Sequence, residues 1–245
     1  MRYIPRIIHQ TWKDKILPPE FKKYQTSWKS SHPDWEYRFY EDCDCRHLVI
    51  KHYPELLPVY DSYARHIQRI DMFRYLVVNH YGGLYADIDM QCFRPIDTLL
   101  KGQSCVFSIE AHLTSTRQAE LNYAQPYQIA NCIFASVARH PFLHKIIARL
   151  KDSGAASVLK DDDIEDTTGP RMLTRLYYQS DSHEKENVTL LPQINLLSPK
   201  EYPNVFPLNI FMYARHHCSG TWKDYRPHLP LKRQWIERNK LPKLW

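Results

Sequence analysis

The clearest pattern in the chain is a long amphipathic segment that ends at two glycines. Over residues 61–81, apolar side chains recur every three or four positions, at Ile67, Ile70, Phe73, Val77 and Tyr81. This spacing predicts one helix with a single buried stripe. Gly82 and Gly83 follow directly. Because glycine commonly ends helices, we expect the helix to stop there.

The pattern then changes to strict alternation over residues 84–90. A period of two predicts a strand whose successive side chains point to opposite faces. Tyr85, Asp87 and Asp89 fall on one face, so both carboxylates should point the same way. On the preceding helix, Asp71 and Arg74 are three residues apart and lie off the apolar stripe, so they either pair at the surface or reach into the cleft.

Strands and helices alternate along the rest of the chain. We expect strands over residues 6–11, 35–40, 104–110, 129–135 and 188–191, and helices over 21–30, 45–53, 141–151 and 171–178. This alternation predicts an α/β layer fold with a mainly parallel sheet. In such sheets ligands bind beyond the carboxyl ends of the strands, where Asp87 and Asp89 should emerge.

Composition narrows the class of protein. The chain has 245 residues, of which 43% are hydrophobic, with only six glycines and no repeats. One domain over residues 1–222 is the simplest organisation. No stretch approaches the roughly 20 apolar residues of a membrane span, and the N-terminus lacks the apolar core of a signal peptide. We therefore expect a cytoplasmic protein. The six cysteines include no CxxC pair, which argues against a zinc cluster.

The positive charge is concentrated in a tail, residues 223–245. This segment holds seven Lys or Arg against two acidic residues, a net +5 of the chain's +6. A nucleic-acid enzyme would carry its charge around the cleft, so we expect no nucleic-acid partner. The tail also contains Trp235 and Ile236, and two interpretations stay open: peripheral contact with an anionic membrane, or packing of a basic segment against the domain.

The aspartates carry the candidate chemistry. Two carboxylates two residues apart at a strand end suit Mn²⁺ or Mg²⁺, which complete their shell with water and substrate phosphates. An isolated Asp-x-Asp is more often the start of a solvated loop. Here the motif ends a longer run, RIDMFRYLVVNHYGGLYADID over residues 69–89.

That run resembles the DXD-containing sugar transferases of glycosyltransferase family thirty-two, which include capsular polysaccharide and initiation-type transferases. It is more distantly similar to the catalytic domains of clostridial glucosylating toxins. The resemblance includes PRIIHQTW at residues 5–12, HPDWEY at 32–37, Thr168-Gly169-Pro170 and HHCSGTW at 216–222. It implies a GT-A-like, Rossmann-type single domain with helices on both faces of the sheet.

The resemblance also implies roles for individual residues. Asp87 and Asp89 would hold the metal, with Arg74 as a third catalytic group and His216 or His217 completing the site. Trp12 would stack on the nucleotide base, although a core aromatic is as common at such a position. The donor would contact Gln10, Trp12, Asp71, Arg74, Gly83, Tyr85 and Trp222. Asn131 and Glu110 are weaker candidates, since edge-strand polar residues look the same.

The implied activity is metal-assisted transfer of a sugar from a UDP- or GDP-sugar, with retention at the anomeric carbon, to a glycan, lipid-linked or protein acceptor. Two alternatives stay open at this point. A metal-dependent hydrolase of phosphoesters or sugar nucleotides also uses aspartates and histidine, but it would require further ligands for two metals. A non-catalytic module that binds nucleotide sugars would have no need of both aspartates and the late histidines.

Overall fold

Strands and helices alternate along residues 3–153, 161–198 and 208–221, which the computed structural model describes. The strands are β1 (Ile7–Thr11), β2 (Glu36–Tyr40), β3 (Gly83–Ala86), β4 (Met90–Cys92), β5 (Cys105–His112), β6 (Tyr127–Ser136), β7 (Val188–Leu191) and β8 (Ala214–His216). The helices are α1 (Pro19–Ser31), α2 (Asp42–His52), α3 (Leu57–Ser62), α4 (His66–Tyr81), α5 (Asp97–Leu100), α6 (Ser115–Leu121), α7 (Pro141–Ser153), α8 (Asp161–Thr167), α9 (Pro170–Gln179) and α10 (Gln193–Leu196). Short 3-10 helices lie at Pro54–Leu56 and Leu208–Phe211.

Six of the strands form one sheet in the order β2-β1-β3-β6-β5-β7. β1 pairs in parallel with β2 and β3, and β5 pairs in parallel with β7, whereas β6 runs antiparallel to both of its neighbours. The predicted mainly parallel sheet is confirmed, with β6 as the exception. A second, two-stranded sheet pairs β4 with β8 in antiparallel register.

Each face of the large sheet packs against its own hydrophobic core. In β3, the side chain of Tyr85 belongs to the core built around α4, whereas Leu84 and Ala86 belong to the core that contains Trp28 of α1. This division follows from the alternation of strand side chains. Helices therefore cover both faces, as predicted. None of the described helices is both long and apolar enough to cross a bilayer.

The helix predicted over residues 61–81 is in fact two helices. α3 ends at Ser62, Tyr63 is extended (φ −60°, ψ 125°), and α4 begins at His66. Arg69 supports the break, since its guanidinium donates to the Tyr63 carbonyl (2.9 Å). The expectation of a single buried stripe was also wrong. Every residue from Ile70 to Asn79 is buried, because α4 contacts the sheet on one side and α2, α3, α7 and α8 around the rest.

Two consecutive glycines connect α4 to β3 in positions that a side chain could not occupy. Gly82 and Gly83 have φ values of +69° and +102°. A Cβ on Gly82 would lie 2.7 Å from Pro5, and one on Gly83 would lie 2.5 Å from the Ile7 carbonyl oxygen. Glycine tolerates both the backbone conformation and the close approach. The two glycines therefore allow α4 to be followed directly by β3.

Candidate active site

The two aspartates lie in a turn at the carboxyl end of β3. The N–H of Asp87 donates to the carbonyl of Cys132 on β6 (2.8 Å), and the N–H of Met90 donates back to the carbonyl of Asp87 (3.0 Å). The prediction of one strand through residue 90 was therefore wrong beyond Ala86. The chain turns there and resumes as β4 in the smaller sheet. The aspartates nonetheless emerge at the carboxyl end of a parallel strand, as expected.

Asp89 accepts hydrogen bonds from the C-terminal segment of the described chain. Its Oδ1 lies 3.1 Å from His216 Nε2, and its Oδ2 accepts from the N–H and the hydroxyl of Ser219 (2.8 and 2.7 Å). Burial by itself would raise the pKa of Asp89. His216 and the Ser219 donors outweigh burial and hold that pKa below its ordinary value, so Asp89 is ionised.

The structure distinguishes the two candidate histidines. Met90 pairs with His216 across β4 and β8, which places the His216 ring beside Asp89. The His217 ring points elsewhere: it stacks on Tyr24 with ring centroids 4.2 Å apart, and its Nε2 lies 3.0 Å from Gln91 Oε1. Because adjacent residues of an extended chain point in opposite directions, only one of the pair can face the aspartates. That residue is His216.

Asp87 has two partners of its own. The hydroxyl of Tyr85 donates to Asp87 Oδ1 (2.8 Å), and Arg74 Nη2 lies 3.3 Å from the same oxygen. Burial raises the pKa of Asp87, with the positive charge of Arg74 opposing that shift. Tyr85 and Arg74 were both predicted to contact the donor. In this structure both contact Oδ1 of Asp87 and fix the orientation of its carboxylate.

Arg74 also belongs to a buried polar network. Its Nη2 lies 3.2 Å from Asp71 Oδ1, with the two side chains only 3% and 4% exposed. Asp71 further accepts from Asn131 Nδ2 (2.9 Å) and from the Thr168 hydroxyl (2.7 Å). Asp71 and Arg74 are therefore a buried pair, and the surface pair considered from sequence is excluded. Asn131 has a larger part than the sequence suggested, since its carbonyl also accepts from Arg74 Nη1 (3.1 Å).

Gln10 connects β1 to the turn that carries the aspartates. Its Nε2 donates to the carbonyl of Asp87 (3.1 Å), and its Oε1 accepts from the Tyr37 hydroxyl (2.8 Å). Gly83, also predicted to contact the donor, begins β3, whereas Asp87 follows the end of that strand. A contact between Gly83 and the donor stays a prediction, and the geometry at Gly83 gives it a packing role.

Trp12 follows β1 at the same edge of the sheet. Its ring is half-buried and meets Phe21 edge-on, with centroids 5.1 Å apart. It packs against a small cluster that includes Ile88, the central residue of the DXD motif. The indole N–H has no hydrogen-bond partner among the described residues. Trp12 thus lies next to the aspartate turn with its polar atom unsatisfied. Stacking on a base stays a prediction.

Two residues at the site were not predicted. The hydroxyl of Ser219 donates to Asp89, and the position of Ser219 inside HHCSGTW is the one sequence feature that pointed to the site. Cys132 is 4% exposed, and its sulfur lies in one cluster with Asp87 and His216, in which the ligand atoms are all within 4.8 Å of one another. Burial raises the pKa of the Cys132 thiol to about 11. Its role could not be read from sequence, because nothing local distinguishes it from a core cysteine.

Glu110, the other weak candidate, lies on β5. Its Oε2 accepts from Gln128 Nε2 (2.6 Å), and burial raises the pKa of its carboxyl group. Trp222 and the basic tail, residues 223–245, lie outside the described residues, so the predicted contacts of both stay predictions.

The donor set at this site fits a hard divalent cation. Asp87, Asp89 and His216 offer two carboxylates and an imidazole, which suit Mn²⁺ or Mg²⁺. Ligands at right angles around an octahedral ion with bonds of about 2.1 Å lie roughly 3.0 Å apart. The 3.1 Å between Asp89 Oδ1 and His216 Nε2 is a hydrogen-bond distance, and two ligands of one octahedral ion can lie at the same separation. Burial lowers the pKa of His216, but Asp89 and Cys132 outweigh burial and raise it well above its ordinary value. The cluster therefore favours a positive charge at this position.

The chain is similar to known proteins in both sequence and fold. Residues 18–106 match the family described as a glycosyltransferase sugar-binding region containing a DXD motif. The inositol phosphoceramide mannosyltransferase 1 of Schizosaccharomyces pombe is 30% identical over 98% of this chain and 67% of its own length. The inositol phosphoceramide mannosyltransferase 2 of the same organism is 31% identical over 81% of this chain. The chain spans about half the length of that second relative, 53%.

A solved structure is similar to this chain in fold. It is a galactosyltransferase, LgtC, in complex with donor and acceptor sugar analogs, with a TM-score of 0.50, 11% identity and coverage of 98% of both chains. At that identity the likeness concerns the fold alone, which is that of the GT-A glycosyltransferases. The family match over residues 18–106 and the relative that is 30% identical over 98% of this chain show the family: this chain belongs to the glycosyltransferases whose sugar-binding region contains a DXD motif.

Proposed function

We propose that this protein transfers a mannosyl group from a nucleotide-diphosphate mannose to a hydroxyl of a lipid-linked or glycan acceptor, with a divalent cation and with retention at the anomeric carbon. One observation carries the proposal. At the carboxyl end of the sheet, His216 of β8 lies 3.1 Å from Asp89. Its imidazole also lies within 4.8 Å of an Asp87 oxygen, so both aspartates of the turn after β3 flank one imidazole. The carboxyl end of the sheet is where ligands bind in folds of this class.

Asp87, Asp89 and His216 would hold the cation. When bound, a divalent cation neutralises the charge that develops on the diphosphate as the bond from the sugar carbon to the phosphate oxygen lengthens. The protein's contribution is to preorganise the ligands. Ser219 fixes Asp89, and Tyr85 with Arg74 fixes Asp87. A site held this way requires little reorganisation during the reaction.

Arg74 supplies a fixed positive charge beneath the site. It lies between Asp71 and Asp87 and is almost inaccessible to water. Its Nε has no hydrogen-bond partner among the described residues. In a low-dielectric environment this charge acts over a longer range than it would in water. We propose that Arg74 keeps Asp87 ionised against the effect of burial and adds to the field that stabilises the leaving diphosphate.

Retention is proposed from the family resemblance, and the carboxylates at the site bear on how it would occur. Inversion requires a general base on the face of the sugar opposite the leaving group, and a double displacement requires a free carboxylate nucleophile. Among the described residues, the aspartates at the site would bind the cation, and the Glu110 carboxylate accepts a hydrogen bond from Gln128 while burial raises its pKa. We therefore favour attack on the face from which the diphosphate departs. The leaving phosphate oxygen would take the proton of the acceptor hydroxyl.

The sugar and the acceptor are proposed from the relatives. Both Schizosaccharomyces pombe relatives are named inositol phosphoceramide mannosyltransferases. A mannosyl donor and an acceptor built on a phosphoinositol lipid are therefore the first candidates for this chain. A glycan acceptor is the second. A hydrolase of the same donor would use the same cation site, and the acceptor dependence of turnover separates the two activities.

The test is a donor screen followed by product analysis. Purified protein with Mn²⁺ is incubated with UDP- and GDP-sugars, and the free nucleoside diphosphate is measured. We expect release from GDP-mannose or UDP-mannose to rise when inositol phosphoceramide in mixed micelles is added. Nuclear magnetic resonance of the product should show the anomeric configuration of the donor. Release that does not respond to any acceptor would support the hydrolase, and an inverted product would overturn retention.

A further inference from the structure

The thiol of Cys132 lies among the ligand atoms of the candidate cation site. A carboxylate oxygen of Asp87, the sulfur of Cys132 and an imidazole nitrogen of His216 are all within 4.8 Å of one another. Neighbouring ligands of a tetrahedral zinc ion are roughly 3.3–3.8 Å apart, given metal–ligand distances of about 2.0–2.3 Å. Small side-chain rotations are therefore enough to close this triangle on one cation.

The backbone fixes the arrangement. The N–H of Asp87 donates to the carbonyl of Cys132 (2.8 Å), and Ala86 pairs with Ile133 across β3 and β6. His216 reaches the same point from β8, where it pairs with Met90. Three segments from distant parts of the sequence thus present a carboxylate, a thiol and an imidazole to one small volume.

We infer that Asp87, Cys132 and His216 form a second coordination set, which binds soft divalent cations such as Zn²⁺ and Cd²⁺. Thiolate ligands favour such ions, whereas carboxylates and water favour Mg²⁺ and Mn²⁺. The thiol releases its proton to solvent when the cation binds. This inference rests on the proposed function only in that the hard-cation set uses the same Asp87 and His216.

The two sets cannot be occupied together, because they share two ligands. A hard cation takes Asp89 as its further ligand, and a soft cation takes Cys132. Soft cations therefore displace Mn²⁺ from the site and place a different ion beside Asp87. We propose that Zn²⁺ and Cd²⁺ compete with the catalytic cation at this point in the protein. Packing gives Cys132 an alternative role, since its side chain also belongs to the core on the Trp28 side of the sheet.

Cobalt binding separates the two roles of Cys132. Titration of the full chain with Co²⁺ should produce a thiolate-to-cobalt charge-transfer band in the near ultraviolet. Cys132→Ala should lose the band, and its affinity for Zn²⁺ should fall by about tenfold or more, since even outer-shell partners of a metal ligand are worth roughly 10–100-fold. Cys105→Ala is the matched control: Cys105 is also fully buried, belongs to the α4 core and should leave both readouts unchanged.

Two results would overturn the inference. The band could persist in Cys132→Ala, or it could disappear instead in Cys218→Ala, whose sulfur lies 3.5 Å from His216 Nδ1. If Cys132→Ala does not fold, X-ray absorption of the zinc-loaded Cys218→Ala variant decides, because among the described residues that variant leaves Cys132 as the thiol beside His216. One sulfur at about 2.3 Å supports the inference, and a shell of oxygen and nitrogen alone contradicts it. Mn²⁺-dependent release of nucleoside diphosphate is measured separately, so either proposal can fail while the other stands.

Discussion

The imidazole of His216 lies 3.1 Å from the carboxylate of Asp89, although 127 positions separate them in the chain. The next residue, His217, stacks on Tyr24 instead. Two neighbouring histidines therefore have different surroundings: the His216 ring lies beside Asp89, and the His217 ring does not. This difference gives the cation site an internal control.

We expect His216→Gln to weaken Mn²⁺ binding by about tenfold or more, because a ligand contributes at least as much as the outer-shell partners that are worth roughly 10–100-fold. His217→Gln should leave Mn²⁺ affinity unchanged and lower the melting temperature, since an aromatic pair stabilises by about 0.5–1.5 kcal/mol. Calorimetric titration with Mn²⁺ and thermal unfolding measure both. Equal losses of Mn²⁺ affinity in the two variants would contradict the assignment.

Arg74→Ala should destabilise the protein severely. The change leaves Asp71 and Asp87 buried without their counter-charge, and breaking a buried ion pair from one side costs about 3–5 kcal/mol. Arg46→Ala is the control, since Arg46 forms a similarly close pair with Asp61 (2.7 Å) at an exposed position. Because exposed ion pairs contribute little to stability, Arg46→Ala should unfold at a urea concentration close to that of wild type. Urea denaturation of both decides, and similar midpoints would refute the network around Arg74.

Trp12→Ala should weaken binding of the nucleoside diphosphate by about 1–3 kcal/mol, the value of a base stacked on an aromatic ring. Calorimetry in the presence of Mn²⁺ measures the affinity. Trp35→Ala is the comparison, because Trp35 is buried in the core with Trp28 and should affect stability alone. If Trp12→Ala also lowers only the melting temperature, Trp12 is a packing residue.

Acid should destabilise the fold through His9. Its Nε2 lies 2.9 Å from the Gly82 carbonyl and its Nδ1 3.0 Å from the Tyr40 hydroxyl, and burial lowers the pKa of His9 from 6.5 to about 4. In the unfolded chain His9 therefore binds a proton near pH 6.5, whereas in the native protein it binds that proton only near pH 4. Stability is fully present above that pH and is lost as the pH falls toward 4, by an amount on the order of 3 kcal/mol.

The measurement is the free energy of unfolding in urea between pH 7.5 and pH 4. His9→Gln should show a shallower loss of stability than wild type over this interval. His47→Gln, at an exposed position on α2, should keep the wild-type slope. An unchanged slope in His9→Gln would show that other groups account for the acid sensitivity.

Local patterns were enough to predict much of the fold. β7 lies at residues 188–191 as expected, and α4 ends at the predicted glycines. The break at Tyr63 was not predictable, because the apolar spacing continues through it and the interaction that supports it, from Arg69, depends on the folded chain. The burial of α4 on all sides was also missed, because the prediction used only the spacing of three and four. Met72, Tyr75, Leu76 and Val78 lie off that stripe and are apolar as well.

As with the fold, only some residues of the candidate site could be predicted from the sequence. The Asp-x-Asp spacing made Asp87 and Asp89 the candidate metal ligands, and the family resemblance added His216 or His217 as a further candidate. The choice between them required the pairing of β4 with β8. Ser219 lies in the HHCSGTW segment, but its contact with Asp89 depends on the folded chain. Cys132 could not be assigned, because its proximity to Asp87 and His216 comes from contacts across a large part of the chain.

The proposed cation site at the two aspartates predicts that cleavage of the sugar–diphosphate bond depends on a divalent metal and on Asp89. The direct measurement is the rate of nucleoside diphosphate release from a nucleotide-diphosphate mannose as Mn²⁺ is varied, for wild type and for Asp89→Asn. We expect wild-type release to stop in excess EDTA and to return with Mn²⁺. Asp89→Asn should stay folded and lose activity by about 100-fold or more, the scale of losing a charge stabiliser in a transition state. Equal rates for wild type with and without EDTA, or for wild type and Asp89→Asn, would contradict a role for this cation site in the reaction.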